Sequence, residues 1–370
     1  MAEMKDYDEY VNAQKTSTLK ETDRKCPACG GTMDFDPATG GLHCPYCDYQ
    51  EAIEQADIEP ERAEELDFYS AEQTGNCDWG VAQKTVTCKS CGAISVYDAL
   101  EVANECPYCG SNQVMEASDV TTLAPNGVVP FKITTEEAGN RFTNWLKKKW
   151  FCPSAAKKNA KADKFKGIYL PFWTFDSNTS TDYTAQYGID RTVKDKDGGS
   201  KTVTDWHRCT GHFDHFFDDT LAQGSNHHDR QIMDMIEPFD TKDNVAYKPE
   251  YIAGYAAERY SIGLKDAWEN AKKAIVNVLR SLIESDIMKI HKADRVQNLE
   301  MKTTYSNITY KYLMLPVYIS SFTYKGKVYQ FMVNGQSGKV GGRSPVSAFR
   351  VLLLILAIVA FIMLLYFINR

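Results

Sequence analysis

The chain has 370 residues, with 42 Lys and Arg against 49 Asp and Glu, a formal net charge of −7 and eleven cysteines. That length leaves room for one or two real cores beside small metal-held modules. The charge is unevenly spread: residues 1–120 carry 8 Lys/Arg against 24 Asp/Glu, a balance of −16, whereas residues 121–370 carry 34 against 25, a balance of +9. Nucleic-acid affinity rests largely on cations that neutralise phosphates, so this composition argues against a DNA grip at the N-terminal end.

Residues 1–24 are polar and charged and read as a flexible lead-in; the acidic start, MAEMKDYDEY, has no apolar run, so no signal peptide is expected. A metal-site pattern is then written twice. Cys26-Pro-Ala-Cys29 is followed after fourteen residues by Cys44-Pro-Tyr-Cys47, and Cys88-Lys-Ser-Cys91 after fourteen by Cys106-Pro-Tyr-Cys109. Two such knuckles bring four thiolates to one point, which suits a tetrahedral Zn²⁺; a disulfide framework and an iron site are the alternatives. The spacing therefore predicts two structural Zn²⁺ sites, in ribbons at 25–50 and 84–114, separated by an acidic spacer at 51–83. Four protein ligands close each site and leave no position for chemistry.

From 128 to 346 the pattern predicts a mixed antiparallel-sheet/helix domain, so the fold class is α+β. A helix is expected over Thr134–Trp150, with Thr134 or Thr135 at its start and Phe142, Trp145, Leu146 and Trp150 sharing a face. Strands are expected at Ile168–Phe175, Thr179–Asp190 and Val203–Phe217, the last two joined by Asp197-Gly198-Gly199. A second helix over Lys265–Ile290 would bury Trp268, Ala271, Ile275, Val278, Leu279, Leu282 and Ile283. Strands at Thr303–Tyr312, Leu315–Tyr324 and Lys327–Val333 turn at Lys325-Gly326 and Asn334-Gly335. Asn334-Gly-Gln-Ser-Gly-Lys339 resembles a phosphate loop but lacks its spacing and reads as a hairpin turn.

Two clusters stay open. Five histidines (His207, His212, His215, His227, His228) and Cys209 lie within 22 residues; they fit a third metal site or the wet face of a strand. Nine Lys/Arg between Arg141 and Lys166 face one acid, Asp163. They fit a solvated helical face, anionic lipid, the acidic N-terminal region, or nucleic acid with Trp145 and Trp150 stacking on bases. No P-loop, nucleophile elbow or open-sided metal triad is present, so no enzyme is expected.

Residues Val351–Ile368 are uncharged and almost wholly aliphatic or aromatic, roughly 27 Å of helix, close to a bilayer's hydrocarbon thickness. A transmembrane helix at 349–368 is predicted, as a tail anchor. Lys325, Lys327, Lys339, Arg343 and Arg350 before it place that side, and the bulk of the chain, in the cytoplasm.

Paired Cys-x-x-Cys ribbons, Tyr169-Leu-Pro-Phe-Trp173, Tyr251-Ile-Ala-Gly-Tyr255 with Glu258-Arg-Tyr260, Leu315-Pro-Val-Tyr318 and Val333-Asn-Gly-Gln-Ser-Gly-Lys-Val340 occur in that order before the apolar tail. Together they resemble the membrane-anchored zinc-ribbon proteins of Gram-positive bacteria, often labelled primosomal-helicase-like or TFIIB-type zinc ribbon. The helicase label has no ATPase residues behind it. The resemblance implies an adaptor at the cell membrane, with a flotillin-like (SPFH) or phage-shock protein as partner. The alternative is a membrane-tethered nucleic-acid-binding protein without helicase activity.

Overall fold

Strands dominate residues 165–194 and 295–334 because β-branched and aromatic side chains crowd there and pack well on a pleated surface. The computed structural model describes residues 25–53, 62–71, 83–89, 94–98, 114–116, 123–159, 165–194 and 199–368. A small antiparallel sheet comes first: β1 (Asp34–Asp36), β2 (Gly41–His43) and β3 (Gln50–Glu51). Next are β4 (Leu66–Asp67), β5 (Gln83–Cys88), β6 (Ile94–Asp98), β7 (Val114–Glu116) and β8 (Gly127–Val128). Helices α1 (Thr135–Lys148) and α2 (Ser154–Asn159) lead into β9 (Lys166–Lys194) and β10 (Ser200–Gln223). Then come α3 (Arg230–Ile236), β11 (Val245–Ala246), β12 (Ala256–Glu258), α4 (Leu264–His291), β13 (Arg295–Tyr324), β14 (Lys327–Asn334), β15 (Val340–Gly342) and α5 (Ala348–Ile368). The molecule is thus mixed α/β on antiparallel sheets, with one apolar helix near its C-terminal end.

β9 and β13 are 29 and 30 residues long, roughly 95 Å if fully extended. They pair antiparallel from Gly188 opposite Arg295 to Lys166 opposite Ile319. The strands expected at 168–175 and 179–190 are therefore one strand. Left-handed Asp219, Asn298 and Asn307 sit where the register shifts; such bulges bend a strand and increase its twist. The second edge of each central strand changes partner. β9 takes β12 in parallel at Ile168 and Tyr169, then β10 from Phe172 onward. β13 takes β8 in parallel at Leu313 and Met314, then β14 from Val317 onward. Pro171 and Pro316 stand at these changeovers, where a strand tolerates a residue without an N–H.

This symmetry extends to individual hydrogen bonds. The amides of Lys132 and Ile133 both donate to Gly335 O, and those of Ser261 and Ile262 both donate to Gly224 O. Gly335 N donates to Pro316 O, as Gly224 N does to Pro171 O. Tyr318 Oη donates to Ile133 O at 2.8 Å, and Trp173 Nε1 donates to Ile262 O at 2.9 Å. Residues Thr134 and Gly263 then cap α1 and α4. The domain is a β-α-β-β unit made twice, β8-α1-β9-β10 and β12-α4-β13-β14, and each copy lends its first strand to the other's long strand.

The helices cover this sheet. Thr134 and Glu137 form the reciprocal cap of α1, worth about 1 kcal/mol. Phe142 meets Phe331 and Phe165 at 4.7 and 5.2 Å between ring centres. Trp150 does not share that face: α1 ends before it, and it is 54% exposed. In α4 the buried stripe is Trp268, Ala271, Ile275, Leu279, Ile283 and Ile287. Val278 lies beside the stripe and is 47% exposed, because the line of contact follows steps of four residues at that point. The end of α4 packs on the far arm of β9, β10 and β13, with Ile283 and Ile287 against Tyr183, Ala185 and Leu299. Lys325 and Gly326 both take left-handed backbone in the β13–β14 turn, as the Lys-Gly pair suggested.

Tyr318→Phe should leave the buried Ile133 carbonyl without its donor and cost about 1–3 kcal/mol. Tyr46→Phe, at a ring that is 75% exposed, should leave the thermal midpoint of the solubilised full chain unchanged.

Candidate metal centre

The first cysteine pair of pairs closes on one point. The two knuckles repeat one backbone turn: Cys26 O accepts from Gly30 N and Cys44 O from Asp48 N, while Cys26 N donates to Gly31 O and Cys44 N to Tyr49 O. The residue after each Cys-x-x-Cys is left-handed, Gly30 at φ +75° and Asp48 at φ +57°. Glycine takes that conformation freely, and Asp is among the few others that tolerate it. The sulfurs of Cys26, Cys29, Cys44 and Cys47 all lie within 4.8 Å of one another, with Cys26–Cys47 at 3.4 Å and Cys29–Cys44 at 3.5 Å. A tetrahedral thiolate site with metal–sulfur bonds of about 2.3 Å has edges of roughly 3.8 Å, so the four fit one metal ion.

The electrostatics agree. Burial pushes the Cys44 thiol up, but amides of Tyr46 and Cys47 hold it down at about 7. Against the amide of Tyr49, the neighbouring sulfurs of Cys26 and Cys29 drive Cys47 up to about 12. Four clustered thiols cannot all ionise without a cation among them, and that is what a metal supplies.

The four-cysteine module is not free of the main domain. Phe35 N donates to Ala253 O at 3.0 Å, and the Phe35 ring meets Tyr251 edge-on at 5.8 Å. Met33, Phe35, Leu42 and Ile53 share a buried cluster with Tyr251, Ile252 and Ala253. Gly254 is left-handed at φ +76°, and a Cβ there would fall 2.7 Å from the Asp34 carboxyl carbon. Tyr251-Ile-Ala-Gly-Tyr255 is therefore the seat of the module, a role its sequence did not announce.

Of the second set, Cys88 is buried at the end of β5; Cys91, Cys106 and Cys109 lie outside the described residues. Strand β5 pairs with β6 on one edge and β7 on the other, and β6 pairs with β12 at Ala257 and Glu258. That edge brings in a network the sequence left unread. Glu258, 0% exposed, takes His227 Nδ1 and Ser225 Oγ on one oxygen at 2.7 and 2.6 Å, and His228 Nε2 on the other at 2.7 Å. Burial alone would raise its carboxyl; His228, His227 and Ser225 hold it down at about 2.

The five histidines do not converge. His212 lies between Asp182 and Asp214 on the open face of β10, His207 stacks on Tyr187, His215 meets Phe217 edge-on, and the last two hold Glu258. Asp176, Asp218 and Asp219 do gather at the β10 bulge. Lys311 already supplies the cation there, 2.7 Å from Asp219 and 3.1 Å from Glu65. Burial, reinforced by a hydrogen bond that protonated Asp176 donates to Glu65, pushes Asp176 up to about 6. The group ties β4 to the sheet.

The fold and site define a protein in which a four-cysteine module able to hold a metal ion is seated on a doubled β-α-β-β domain that leads into an apolar helix. The chain is 30% identical over 329 residues to the "Uncharacterized protein YdjG" of Bacillus subtilis (strain 168), spanning 87% of this chain and 90% of that protein. It belongs to the same family as YdjG. No family model and no solved structure matches the chain.

The buried network sets a pH dependence. Glu258, lowered from 4.5 to about 2, contributes stability that is present above pH 4.5 and lost as pH falls toward 2. His227 is raised above 6.5 by Glu258, so its contribution is complete below pH 6.5 and is lost as pH rises through the higher folded value. Glu258→Gln should flatten both limbs of the stability–pH curve and cost about 3 kcal/mol between them, measured by denaturant titration across pH.

Proposed function

We propose that this protein is a membrane-anchored zinc-ribbon adaptor that presents a rigid acidic surface to a protein partner in the cytoplasm. The observation that carries the reading is the seating of the four-cysteine module on Tyr251–Gly254. A closed four-thiolate site has no open coordination position for a substrate, so its use is to hold shape. Zinc is the metal that best suits four thiolates in a tetrahedron without redox chemistry. The spacing of Cys88, Cys91, Cys106 and Cys109 gives a second site of the same kind. Helix α5, 21 residues of which none is buried, is long and apolar enough to cross a bilayer, and supports the anchor. The resemblance to membrane-anchored zinc-ribbon proteins makes a flotillin-like (SPFH) or phage-shock protein the partner of choice.

Metal analysis of the purified full chain should return two zinc ions per molecule, and one would confine the metal to Cys26, Cys29, Cys44 and Cys47. Chelation should loosen the first module from its seat, seen as faster amide exchange at Phe35. Pull-down of the tagged chain from detergent-solubilised membranes should bring a flotillin-like or phage-shock protein, lost when Cys88 and Cys91 become Ser. Recovery of nuclease-sensitive nucleic acid or replication proteins instead would overturn the adaptor reading in favour of a tethered nucleic-acid binder.

A further inference from the structure

The start of α5 is tied to the loop between α1 and α2. Ser347 N donates to Phe151 O at 2.9 Å. In the first turn of α5 the Arg350 guanidinium donates to the carbonyls of Trp150 and Cys152 and to Ser154 Oγ, the last two at 2.8 Å. A loop held by the first turn of a spanning helix lies within one side-chain length of the point where that helix meets the bilayer. The loop is flanked by cations. Lys147, Lys148 and Lys149 end α1, Lys157 and Lys158 end α2, and all but the half-buried Lys157 are exposed. Among the described residues none of the five forms an ion pair with a carboxylate. Trp150 stands between the two groups, and Phe349 on α5 is also exposed.

These groups are the ones a headgroup layer selects. Lysine stems lie along apolar surface while the ammonium reaches a phosphate, and an indole settles at the boundary between water and hydrocarbon. We propose that Lys147, Lys148, Lys149, Lys157 and Lys158, with Trp150 among them, dock on the phosphate headgroups of anionic phospholipid in the membrane that α5 enters. The inference rests on reading α5 as a membrane anchor. It chooses lipid over nucleic acid because the patch is fastened to the anchor itself, where the nearest phosphates are those of the bilayer. Docking at this second point would stop the domain from swivelling on a single helix and would set the height of the metal module above the surface.

The test uses the full chain in nanodiscs of phosphatidylcholine alone or with phosphatidylglycerol. Hydrogen–deuterium exchange is read on the peptide covering 147–159. Exchange should slow by about threefold or more when phosphatidylglycerol is present. That difference should vanish at roughly 1 M salt, where the screening length falls to about 3 Å. It should vanish also in K147Q/K148Q/K149Q and persist in K147R/K148R/K149R, and the salt arm, run on the unaltered chain, does not depend on either variant folding. Equal exchange in both compositions, with the chain still resisting carbonate extraction, would overturn the patch and leave the anchor standing. Equal, salt-sensitive protection in both would assign the lysines to an acidic protein surface and overturn it too. Release of the chain by carbonate would overturn the anchor and this inference together.

Discussion

The antiparallel pairing of β9 with β13 decides where every other part of the domain sits. Each strand uses one edge on the other and keeps its second edge for shorter partners, which come and go along its length. The two prolines mark the handover, and the glycines at 224 and 335 return the chain to the same carbonyls on both sides. Because β8 belongs to one copy and pairs with the other, and β12 does the reverse, neither copy has a complete sheet alone. The β6 edge adds to β12, so the strands that carry Cys88 depend on the same central pair.

The four-cysteine module and the β6 edge are placed on this frame by a few contacts. The four-cysteine module rests on a short turn just before β12, held by a backbone hydrogen bond, an aromatic edge contact and a glycine that admits Asp34. Glu258, three residues after that turn region closes, is held by two histidines from the segment that follows β10. The seat of the four-cysteine module and the edge that receives β6 therefore sit on adjoining residues of one short segment, 251–258. A disturbance in either is felt in the other through a few residues of backbone.

Sequence alone gave up the first cysteine quartet, the start of α1, the extent of α4, the Lys325-Gly326 turn and the apolar helix, because each has a local chemical signature: ligand spacing, a cap, a helical stripe, a turn pair, an unbroken aliphatic run. It did not give up the doubling. Leu170-Pro171-Phe172 and Leu315-Pro316-Val317 were both visible, but the equivalence lies in which carbonyl each glycine amide finds, and that is a fact of space. Val278 was assigned to the core because helical spacing tolerates it there; the actual contact line steps past it. In sequence the histidines fit a third metal site or the wet face of a strand, and His212 stands on such a face. Closeness in sequence along β10 spreads side chains over alternate faces and many ångströms, and the two that do meet a common partner meet Glu258, thirty residues on.

The long central strands carry a consequence for how the chain is made. β9 and β10 can form a hairpin once residue 223 has been synthesised, yet the other edge of β9 waits for Arg295–Ile319. At about 5–20 residues per second that wait is on the order of 5–20 s, during which a strand of 29 residues exposes a row of unpaired amides and carbonyls. Non-local pairings of this kind also fold slowly once available. Assembly of this domain is thus a race between the arrival of β13 and any other strand that finds the open edge first, and the polar outer face of the arm, with Asp182, His212 and Asp214 along it, makes that edge a poor template while it waits.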